Sequence, residues 1–468
     1  MKTTPSFPQI FPAMFELYVN SIKVNQFYAD LFARTFRQAV DIVSSQQEKA
    51  QEKGNNISLY EVWLKLTDAE LEKDLRSEPF LTLISNLTKA GVNLRKDMRE
   101  AGFPVLFLDW LFDTYVRSFM VFASIPKDYD FAAFDIVWAK GKTRLLHYRA
   151  TPADRYDKST SRPPLLVVYA PINKFHIMDI SPDRSVVRNL MSHGIDVYLL
   201  DWGFPDWSDS EMSLGDYVRH IGSAIEAIKK ESGHEKISIL GYCWGGIISL
   251  IYSALNDNKN VKKLILMAQP VDFSKDKTIL ATWARAVDVD KMMDEFGHMD
   301  GAVLDIAFLM RNPPRYTFDK YLKFFQKVGD AKFVSNFFAV ENWLHDTPML
   351  PGRMYSQIIN DCYKNNLLIS GNMQVDVVGG DGSEGVVNSE AEKKKIDLKK
   401  IEMPILTIVA EQDDLVSPES TLAINEHVSS SDKTVLKMPG GHVGLCISSH
   451  AHSKLWPEVA KWILHSNT

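Results

Sequence analysis

The chain is poor in cysteine, in long apolar runs and in surplus positive charge, and each shortage excludes a class of proteins. Three cysteines in 468 residues cannot form a disulfide framework, so we expect a reducing, cytoplasmic environment. No segment approaches the roughly 18 apolar residues of a membrane-spanning helix, and the N-terminus lacks the pattern of a secretory signal. The net charge of -6 leaves no basic surplus to bind phosphates, which argues against nucleic acid as a partner.

Glycine and proline are also missing from residues 13–53, where apolar side chains recur at helical spacing. This pattern predicts a long amphipathic helix with a wide apolar stripe. Two further helical stretches are predicted, one ending near Leu75 and one over residues 79–101. We therefore expect residues 1–120 to form an all-helical region, whose apolar stripe packs either within this chain or against another chain.

From about Asp135 the pattern changes to short apolar runs that alternate with helical segments. Several runs are continuously apolar, which is typical of parallel strands covered on both faces. The alternation predicts a doubly wound α/β sheet in a catalytic domain over residues 121–468. The candidate strands are residues 165–169, 197–201, 237–240, 263–267, 405–409 and 435–438, and the candidate helices are residues 183–193, 214–230 and 245–255.

Well over a hundred residues separate the strand ending near Met267 from the strand beginning near Ile405, which is too many for a simple crossover. Residues 271–368 are rich in Phe, Trp and Met and have a helical pattern. They are predicted to form a helical lid inserted over the carboxyl edge of the sheet. Residues 377–396 combine glycines with a charged tract and are predicted to be a flexible loop.

The most informative motif is the hexapeptide Gly241-Tyr-Cys-Trp-Gly-Gly246. It follows a predicted strand and precedes a predicted helix. This is the arrangement of a nucleophile elbow, whose glycines allow a sharp turn that presents the central side chain at the top of a sheet. Here the central residue is Cys243, and its sulfur indicates acyl transfer through a thioester. The alternative, a cysteine that only fills the core, is disfavoured by the flanking glycines.

A nucleophile elbow needs a carboxylate and a base on later strand ends, and both follow in the required order. Asp413 and Asp414 come after the strand ending near Val409, and we prefer Asp413; His442 lies beside glycines after the last strand. A free thiol, with a pKa of roughly 8.5, is mostly protonated at neutral pH, so the imidazole is needed to take its proton. The carboxylate fixes the tautomer of the ring. The alternatives are a turn for the aspartates and a loop cap for the histidine.

Acyl transfer also needs hydrogen-bond donors for the oxyanion of the tetrahedral intermediate. The backbone N–H of Trp244 is predicted to be the first donor. The second is expected from the loop over residues 170–174, from Ile172 or Asn173, with Ile172 preferred.

Other thiol and imidazole groups are expected to be structural. Cys362 and Cys446 are assigned to the core, and His220 to a solvated helix face. His450 and His452 form a His-x-His pair, but no matching cluster of ligands lies nearby, so no metal site is expected.

The larger, C-terminal part of the chain resembles polyhydroxyalkanoate synthases, most closely the catalytic subunit of the two-subunit, class III type. The resemblance covers residues 140–465. The motifs that carry it are Asn173-Lys174, Asp179, Asp201-Trp-Gly203, Pro205-Asp206, Gly241 to Gly246, Pro270-Val-Asp-Phe273, Glu341-Asn-Trp343, Gln412-Asp413 and Pro439 to Gly444.

This resemblance implies an α/β-hydrolase fold and the polymerisation of (R)-3-hydroxyacyl-CoA thioesters, with 3-hydroxybutyryl-CoA as the expected monomer, into polyester with release of CoA. The family's catalytic residues fall on Cys243, Asp413 and His442, and Asn173 falls in the substrate-binding region. CoA is part of the substrate and a product, so no cofactor is expected. The other expected partners are the growing polyester and a second copy of the chain or a helical partner subunit. The enzyme is expected on the surface of polyester granules.

The chain departs from the usual pattern of that family at several points. Trp244 stands where the family often has Gln, and Asp414 where it commonly has His. The segment 379–395 is an unusual insertion. Residues 1–120 exceed the short catalytic subunit and faintly resemble its helical partner, which suggests a fused, partner-like segment.

Two other functional classes stay open at this point. A cysteine hydrolase or thioesterase similar to dienelactone hydrolases would share the Gly-x-Cys-x-Gly-Gly elbow, but it would lack the Asn173-Lys174 and Asp201-Trp-Gly203 segments. A granule-binding scaffold with a decayed site would not need the intact set of three side chains.

Overall fold

The computed structural model describes residues 129–149, 162–256, 258–312, 315–316, 320, 324, 330–377 and 392–465. The predicted helical region over residues 1–120 lies outside the described residues and stays a prediction. The chain divides into two compact units. Tyr129–Pro313 and Trp343–Thr468 form the unit that contains the sheet, whereas Pro314–Asn342 belong to the other unit.

One eight-stranded sheet organises the first unit. Its strands are β1 (Phe134–Lys140), β2 (Thr143–Tyr148), β3 (Pro164–Val168), β4 (Asp196–Asp201), β5 (Ile237–Tyr242), β6 (Val261–Met267), β7 (Ile405–Ala410) and β8 (Lys433–Met438). They lie in the order β1-β2-β4-β3-β5-β6-β7-β8. β2 runs antiparallel to both β1 and β4, and β3 to β8 are parallel. All six predicted strands are present, and the doubly wound α/β class is confirmed.

The burial of the strands explains which of them the sequence pattern predicts. β3, β5 and β7 are buried at every residue, as apolar parallel strands with helices on both faces should be. β1 has no fully buried residue, and four of its seven residues are exposed. Its composition therefore lacks the apolar run that identifies a strand, and β1 is not predicted. β2 is not predicted either, although four of its six residues are buried.

Three helices follow strands of the sheet at positions close to those predicted: α1 (Val186–Ser192), α2 (Leu214–Ser232) and α3 (Trp244–Leu255). Ser213 begins α2 with a capping box, because its hydroxyl accepts from the N–H of Asp216 while the Asp216 carboxylate accepts from the N–H of Ser213. Such a cap stabilises a helix by about 1 kcal/mol. α2 ends at Gly233, whose left-handed backbone suits a residue without Cβ.

Between β6 and β7 the chain is mainly helical, in agreement with the pattern of residues 271–368. The helices there are α4 (Ile279–Ala286), α5 (Val289–Phe296), α6 (Gly301–Met310), α7 (Ala331–Leu344) and α8 (Gly352–Gln357), which continues as a π-helix over Ile358–Lys364. A short antiparallel pair joins His298–Met299 to Leu350–Pro351. The role of this segment as a lid stays a prediction.

The last helices are α9 (Pro418–Leu422), α10 (Ile424–His427), α11 (Gly444–Ile447) and α12 (Trp456–Leu464). α9 and α10 follow β7 in the chain, and α11 and α12 follow β8. Among the described residues, no helix has both the length and the apolar composition that crossing a bilayer requires.

The predicted flexible loop, 377–396, is wrong at both of its ends, and its residues 378–391 lie outside the described residues. Gln374–Val377 and Glu392–Lys395 form an antiparallel pair of strands. The second strand is exposed at every residue, so its charged composition resembles that of a loop although its backbone is paired. The first strand packs on the start of α2, where a Cβ on Gly215 would lie 2.1 Å from the carbonyl oxygen of Asp376.

Candidate active site

The predicted elbow is present between β5, which ends at Tyr242, and α3, which begins at Trp244. Cys243 lies in the turn with φ 53° and ψ −126°, a backbone conformation that costs a residue with a Cβ about 1–3 kcal/mol. Two hydrogen bonds hold it there: its N–H donates to Met267 O at 2.9 Å, and its carbonyl accepts from Gly246 N–H at 2.9 Å. The sulfur is therefore presented from a strained and well-anchored turn.

The glycines of the elbow are required by close packing. A Cβ on Gly245 would lie 2.2 Å from the carbonyl oxygen of Val168, at the end of β3. A Cβ on Gly246 would lie 2.5 Å from Cβ of Gln269, and one on Gly241 would lie 2.6 Å from Cα of Gly246. These approaches confirm that the turn leaves no room for side chains, and they bring the start of α3 against the end of β3.

Replacing Gly245 by Ala should therefore destabilise the protein by about 1–3 kcal/mol or more, since the atom that the new methyl group meets is backbone and cannot rotate away. The free energy of urea-induced unfolding measures the effect. Gly444→Ala is the matched control, because a Cβ there meets nothing within 4 Å. Equal unfolding midpoints for the two variants would contradict the close approach at Gly245.

The predicted base and carboxylate lie on the loops that follow β8 and β7. His442 Nδ1 is 2.8 Å from Asp413 Oδ2, and both side chains are at most 5% exposed. The other oxygen of Asp413 accepts from the N–H groups of Leu415 and Val416 at 2.9 and 3.0 Å. Three hydrogen bonds thus orient this carboxylate toward the ring.

Asp414, the alternative carboxylate, has a different partner. It forms an ion pair with Arg311, whose Nε is 3.3 Å from Oδ1 of Asp414. The structure therefore brings Asp413, and not Asp414, to the imidazole.

The third member of the predicted set, Cys243, also meets the imidazole. Burial by itself lowers the pKa of His442, but the Asp413 carboxylate and the Cys243 sulfur, each through its charge and a side-chain hydrogen bond, outweigh burial and raise that pKa. Because Nδ1 is bonded to Asp413, Nε2 is the ring nitrogen available to the sulfur. The raised pKa favours the imidazolium form of His442, and a neighbouring imidazolium is one of the features that make cysteine nucleophiles reactive.

Two further residues near this set belong to motifs noted in the sequence, but the sequence pattern does not predict their contacts. Gln412 joins the two loops, since its N–H donates to Gly440 O at 2.9 Å and its side-chain oxygen accepts from Gly440 N–H. Tyr242 lies against His442, with ring centroids 5.0 Å apart and its hydroxyl 3.5 Å from the carbonyl oxygen of His442. Both contacts join residues far apart in sequence.

The predicted oxyanion donors lie on adjacent segments. Trp244 is the first residue of α3, so its N–H has no acceptor within the helix. The loop with Ile172 follows β3, whose end touches Gly245. This loop is braced at its start, because the indole of Trp202 donates to Tyr169 O at 2.9 Å and the Asp201 carboxylate accepts from Gly203 N–H at 3.0 Å. The Asp201-Trp-Gly203 motif thus supports the loop.

Asn173, the predicted substrate-binding residue, lies next in this loop. Its amide donates to Thr347 Oγ1 at 2.7 Å, so at least one of its amide protons is held by the protein. Beside the sulfur, the indole of Trp244 packs on the rings of Tyr355 and Tyr363, at centroid distances of 6.1 and 6.3 Å, and donates to the Tyr363 hydroxyl at 3.3 Å. The residue that departs from the family pattern therefore forms an aromatic wall.

The structure agrees with the assignment of Cys362 and Cys446 to the core, but not with that of His220 to a solvated helix face. Cys362 and Cys446 are buried, and burial raises the pKa of both thiols, which makes them unreactive. His220 was expected in solvent, but it hydrogen-bonds Thr143 Oγ1 at 2.9 Å, and burial lowers its pKa to about 4.

Comparison with known proteins reveals clear relatives of this chain. The alpha/beta hydrolase fold family matches residues 163–446. The poly(3-hydroxyalkanoate) polymerase subunit PhaC of Haloferax mediterranei is 37% identical over 70% of this chain and 63% of its own length. The PhaC subunit of Allochromatium vinosum is 37% identical over 66% of this chain and 84% of its own length, and that of Synechocystis is 37% identical over 64% and 77%.

Solved structures match this chain at lower similarity. A monoacylglycerol lipase of Paleococcus ferrophilus has a TM-score of 0.40 at 14% identity, with 65% of this chain and 95% of the lipase covered. Mouse alpha/beta hydrolase domain-containing protein 10 has a TM-score of 0.39 at 14% identity, with 71% and 98% covered.

Proposed function

Because this chain belongs to the poly(3-hydroxyalkanoate) polymerase family within the alpha/beta hydrolase fold, we propose that it polymerises (R)-3-hydroxyacyl-CoA thioesters, with 3-hydroxybutyryl-CoA as the monomer, through an acyl group carried on Cys243. Membership makes it an acyltransferase; the monomer and the covalent intermediate are the finer parts of the proposal. The observation that supports them best is the Cys243 sulfur, held in a strained turn beside the buried His442–Asp413 pair.

The first half of the proposed reaction loads the enzyme. The thiol proton of Cys243 passes to His442, and the sulfur attacks the thioester carbonyl of the substrate. The N–H groups of Trp244 and Ile172 stabilise the oxyanion. As the intermediate collapses, the bond between the acyl carbon and the CoA sulfur breaks, and His442 returns the proton to the departing CoA thiolate. The acyl group is then a thioester on Cys243.

The second half lengthens the polymer. The 3-hydroxyl of another hydroxyacyl unit gives its proton to His442 and attacks the acyl carbon on Cys243. A new ester bond forms, the bond to sulfur breaks, and the proton returns to Cys243. A thioester suits this step because it stays reactive toward an alcohol. Water would end the chain early, so the burial of His442 and Asp413 serves the reaction by limiting solvent at the base.

The proposal extends to location and partners. CoA enters as part of the substrate, and the three side chains supply the proton transfers and the nucleophile, so we propose that no further cofactor takes part. The polyester product is apolar, and we propose that the enzyme works at its surface. We also propose that a second copy of the chain or a helical partner contributes to the active form, with the predicted N-terminal stripe as the contact.

The decisive experiment is to incubate the purified protein with (R)-3-hydroxybutyryl-CoA and to measure both free CoA and the acyl product. We expect continuous CoA release with insoluble polyester as the product. CoA release with free 3-hydroxybutyrate instead would identify a hydrolase or thioesterase. If no CoA is released, a non-catalytic scaffold is the remaining interpretation.

Butyryl-CoA is the matched control substrate, because it lacks the 3-hydroxyl and cannot lengthen a chain. It should release about one CoA per active site and leave a butyryl group on the protein. Continuous release of CoA and butyrate from this substrate would contradict the polymerase proposal.

A further inference from the structure

The loop that carries the predicted second oxyanion donor is tied to the segment that follows α7. Asn173 Nδ2 donates to Thr347 Oγ1 at 2.7 Å, and Thr347 Oγ1 in turn donates to Asp305 Oδ1 at 2.5 Å. The amide nitrogen of Asn173 can only donate, so Thr347 Oγ1 accepts from it, which leaves the hydroxyl proton of Thr347 to donate to Asp305. All three residues belong to the unit that contains the sheet.

A second tie reaches the neighbouring residue of the loop. Lys174 Nζ is 2.5 Å from Asp346 Oδ2, and the carbonyl oxygen of Lys174 accepts from the indole N–H of Trp343 at 2.8 Å. The loop after β3 is therefore fixed at Asn173 and at Lys174 by residues of one short segment, 343–347.

Asp305 is an unusual residue to find in this place. It is only 6% exposed, and burial raises its pKa to about 7, against the hydrogen bond from Thr347. Burying a carboxyl group costs free energy unless the group makes strong polar contacts. Gly301 allows its helix to come this close, because a Cβ there would lie 2.0 Å from the carbonyl oxygen of Thr347. The packing thus places a carboxylate behind the loop although an apolar residue would be less costly there.

We propose that Asp305 and Thr347 are positioning residues for the acyl-transfer reaction: through Asn173 they hold the loop so that the Ile172 N–H points at the oxyanion. The inference rests on the proposed function. Its physical reason is that an oxyanion donor is effective only when it is fixed near its final position before charge develops. In this proposal the amide nitrogen of Asn173 holds the loop in place. Its other polar atoms can still contact the substrate.

Thr347→Val and Thr347→Ser test the relay as a matched pair. Valine keeps the shape but removes the hydroxyl, whereas serine keeps both hydrogen bonds. With 3-hydroxybutyryl-CoA we expect kcat to fall about tenfold in Thr347→Val with KM within twofold, because a displaced donor affects the transition state more than substrate binding. Thr347→Ser should stay within about twofold of the wild type in both constants.

Thr143→Val controls for a general loss of stability. Thr143 is buried in β2, which β4 separates from β3 and its loop, and its hydroxyl is hydrogen-bonded to His220, so this variant should keep kcat. If Thr347→Val does not fold, Asp305→Asn and Asp305→Ala replace it: asparagine can still accept from Thr347 and should stay within about threefold, whereas alanine should lose about tenfold in kcat.

Three outcomes separate this inference from the proposed function. If the wild-type protein releases no CoA or makes no polyester, the proposed function is wrong. A polymerising wild type whose Thr347→Val variant equals Thr347→Ser, or whose KM rises while kcat is unchanged, overturns the relay alone. A double variant Asn173→Ala/Thr347→Val should lose no more than the worse single variant, and additive losses would also overturn it.

Discussion

Replacing Cys243 by Ala should abolish CoA release from 3-hydroxybutyryl-CoA, with a loss of about 10⁴-fold or more, because removal of the nucleophile of a cooperative set removes the covalent route altogether. Cys243→Ser should also lose about 10³-fold or more. The serine hydroxyl occupies the same turn but is far less acidic than a thiol, and the oxygen ester that it would form is less reactive toward the next alcohol. The comparison separates the position of the side chain from the chemistry of sulfur.

The measurement is a single-turnover reaction with butyryl-CoA, followed by mass spectrometry of the intact protein. The wild type should gain one butyryl group, and Cys243→Ala should gain none. Cys362→Ala and Cys446→Ala are the controls, since both thiols are buried and have raised pKa values. They should lose stability but still accept the group on Cys243. Acylation of Cys243→Ala would mean that another residue is the nucleophile.

The parts of this site that the sequence predicts are those that local patterns encode. Apolar runs mark the buried strands, and parallel strands bring their carboxyl ends to one edge of the sheet. Cys243, Asp413 and His442 each follow such a strand directly, so a one-dimensional pattern suffices to bring them together. The glycines of the elbow belong to the same class, because their spacing is local.

The parts that the sequence does not predict depend on contacts between distant residues. Thr347 lies 174 positions from Asn173 and 42 from Asp305. The local sequence around Thr347 and around Asp305 contains no motif that predicts these contacts. Gln412 and Gly440 likewise meet only because two loops lie side by side. His220 lies on a helix whose polar face looks solvated, but β2 brings Thr143 to its ring. Hydrophobic periodicity indicates which face of a helix or strand is buried. It does not indicate which polar group from a distant part of the chain will contact that face.

Asp413→Asn should lower kcat about 10²–10³-fold. The asparagine oxygen can still accept from the N–H groups of Leu415 and Val416, which leaves its NH₂ facing His442 Nδ1. The ring must then carry its proton on Nε2, so it cannot take the thiol proton. We expect a smaller loss than for a serine enzyme, because a thiol is acidic enough to ionise in part without help. Asp414→Asn is the matched control and should stay within about threefold, since its partner is Arg311.

The same variant should change two pH dependences. Without the negative charge of Asp413, the pKa of His442 falls, so less imidazolium lies beside the sulfur at neutral pH. Alkylation of Cys243 by iodoacetamide should therefore be about tenfold slower than in the wild type at pH 7 and should converge with it near pH 10, where a thiolate forms without the imidazolium. Equal rates at pH 7 would contradict the assigned role of Asp413.

The pH dependence of the free energy of unfolding should reflect the raised pKa of His442. A histidine whose folded pKa is raised stabilises the protein fully below the pKa of about 6.5 in the unfolded chain, and this contribution is lost as pH rises through the folded value of about 10. The difference in unfolding free energy between the wild type and Asp413→Asn should therefore be largest near pH 6 and shrink steadily toward pH 10. A difference that grows with pH would mean that His442 is held neutral in the folded protein, and the proposed proton transfer from Cys243 would then need another arrangement of charge.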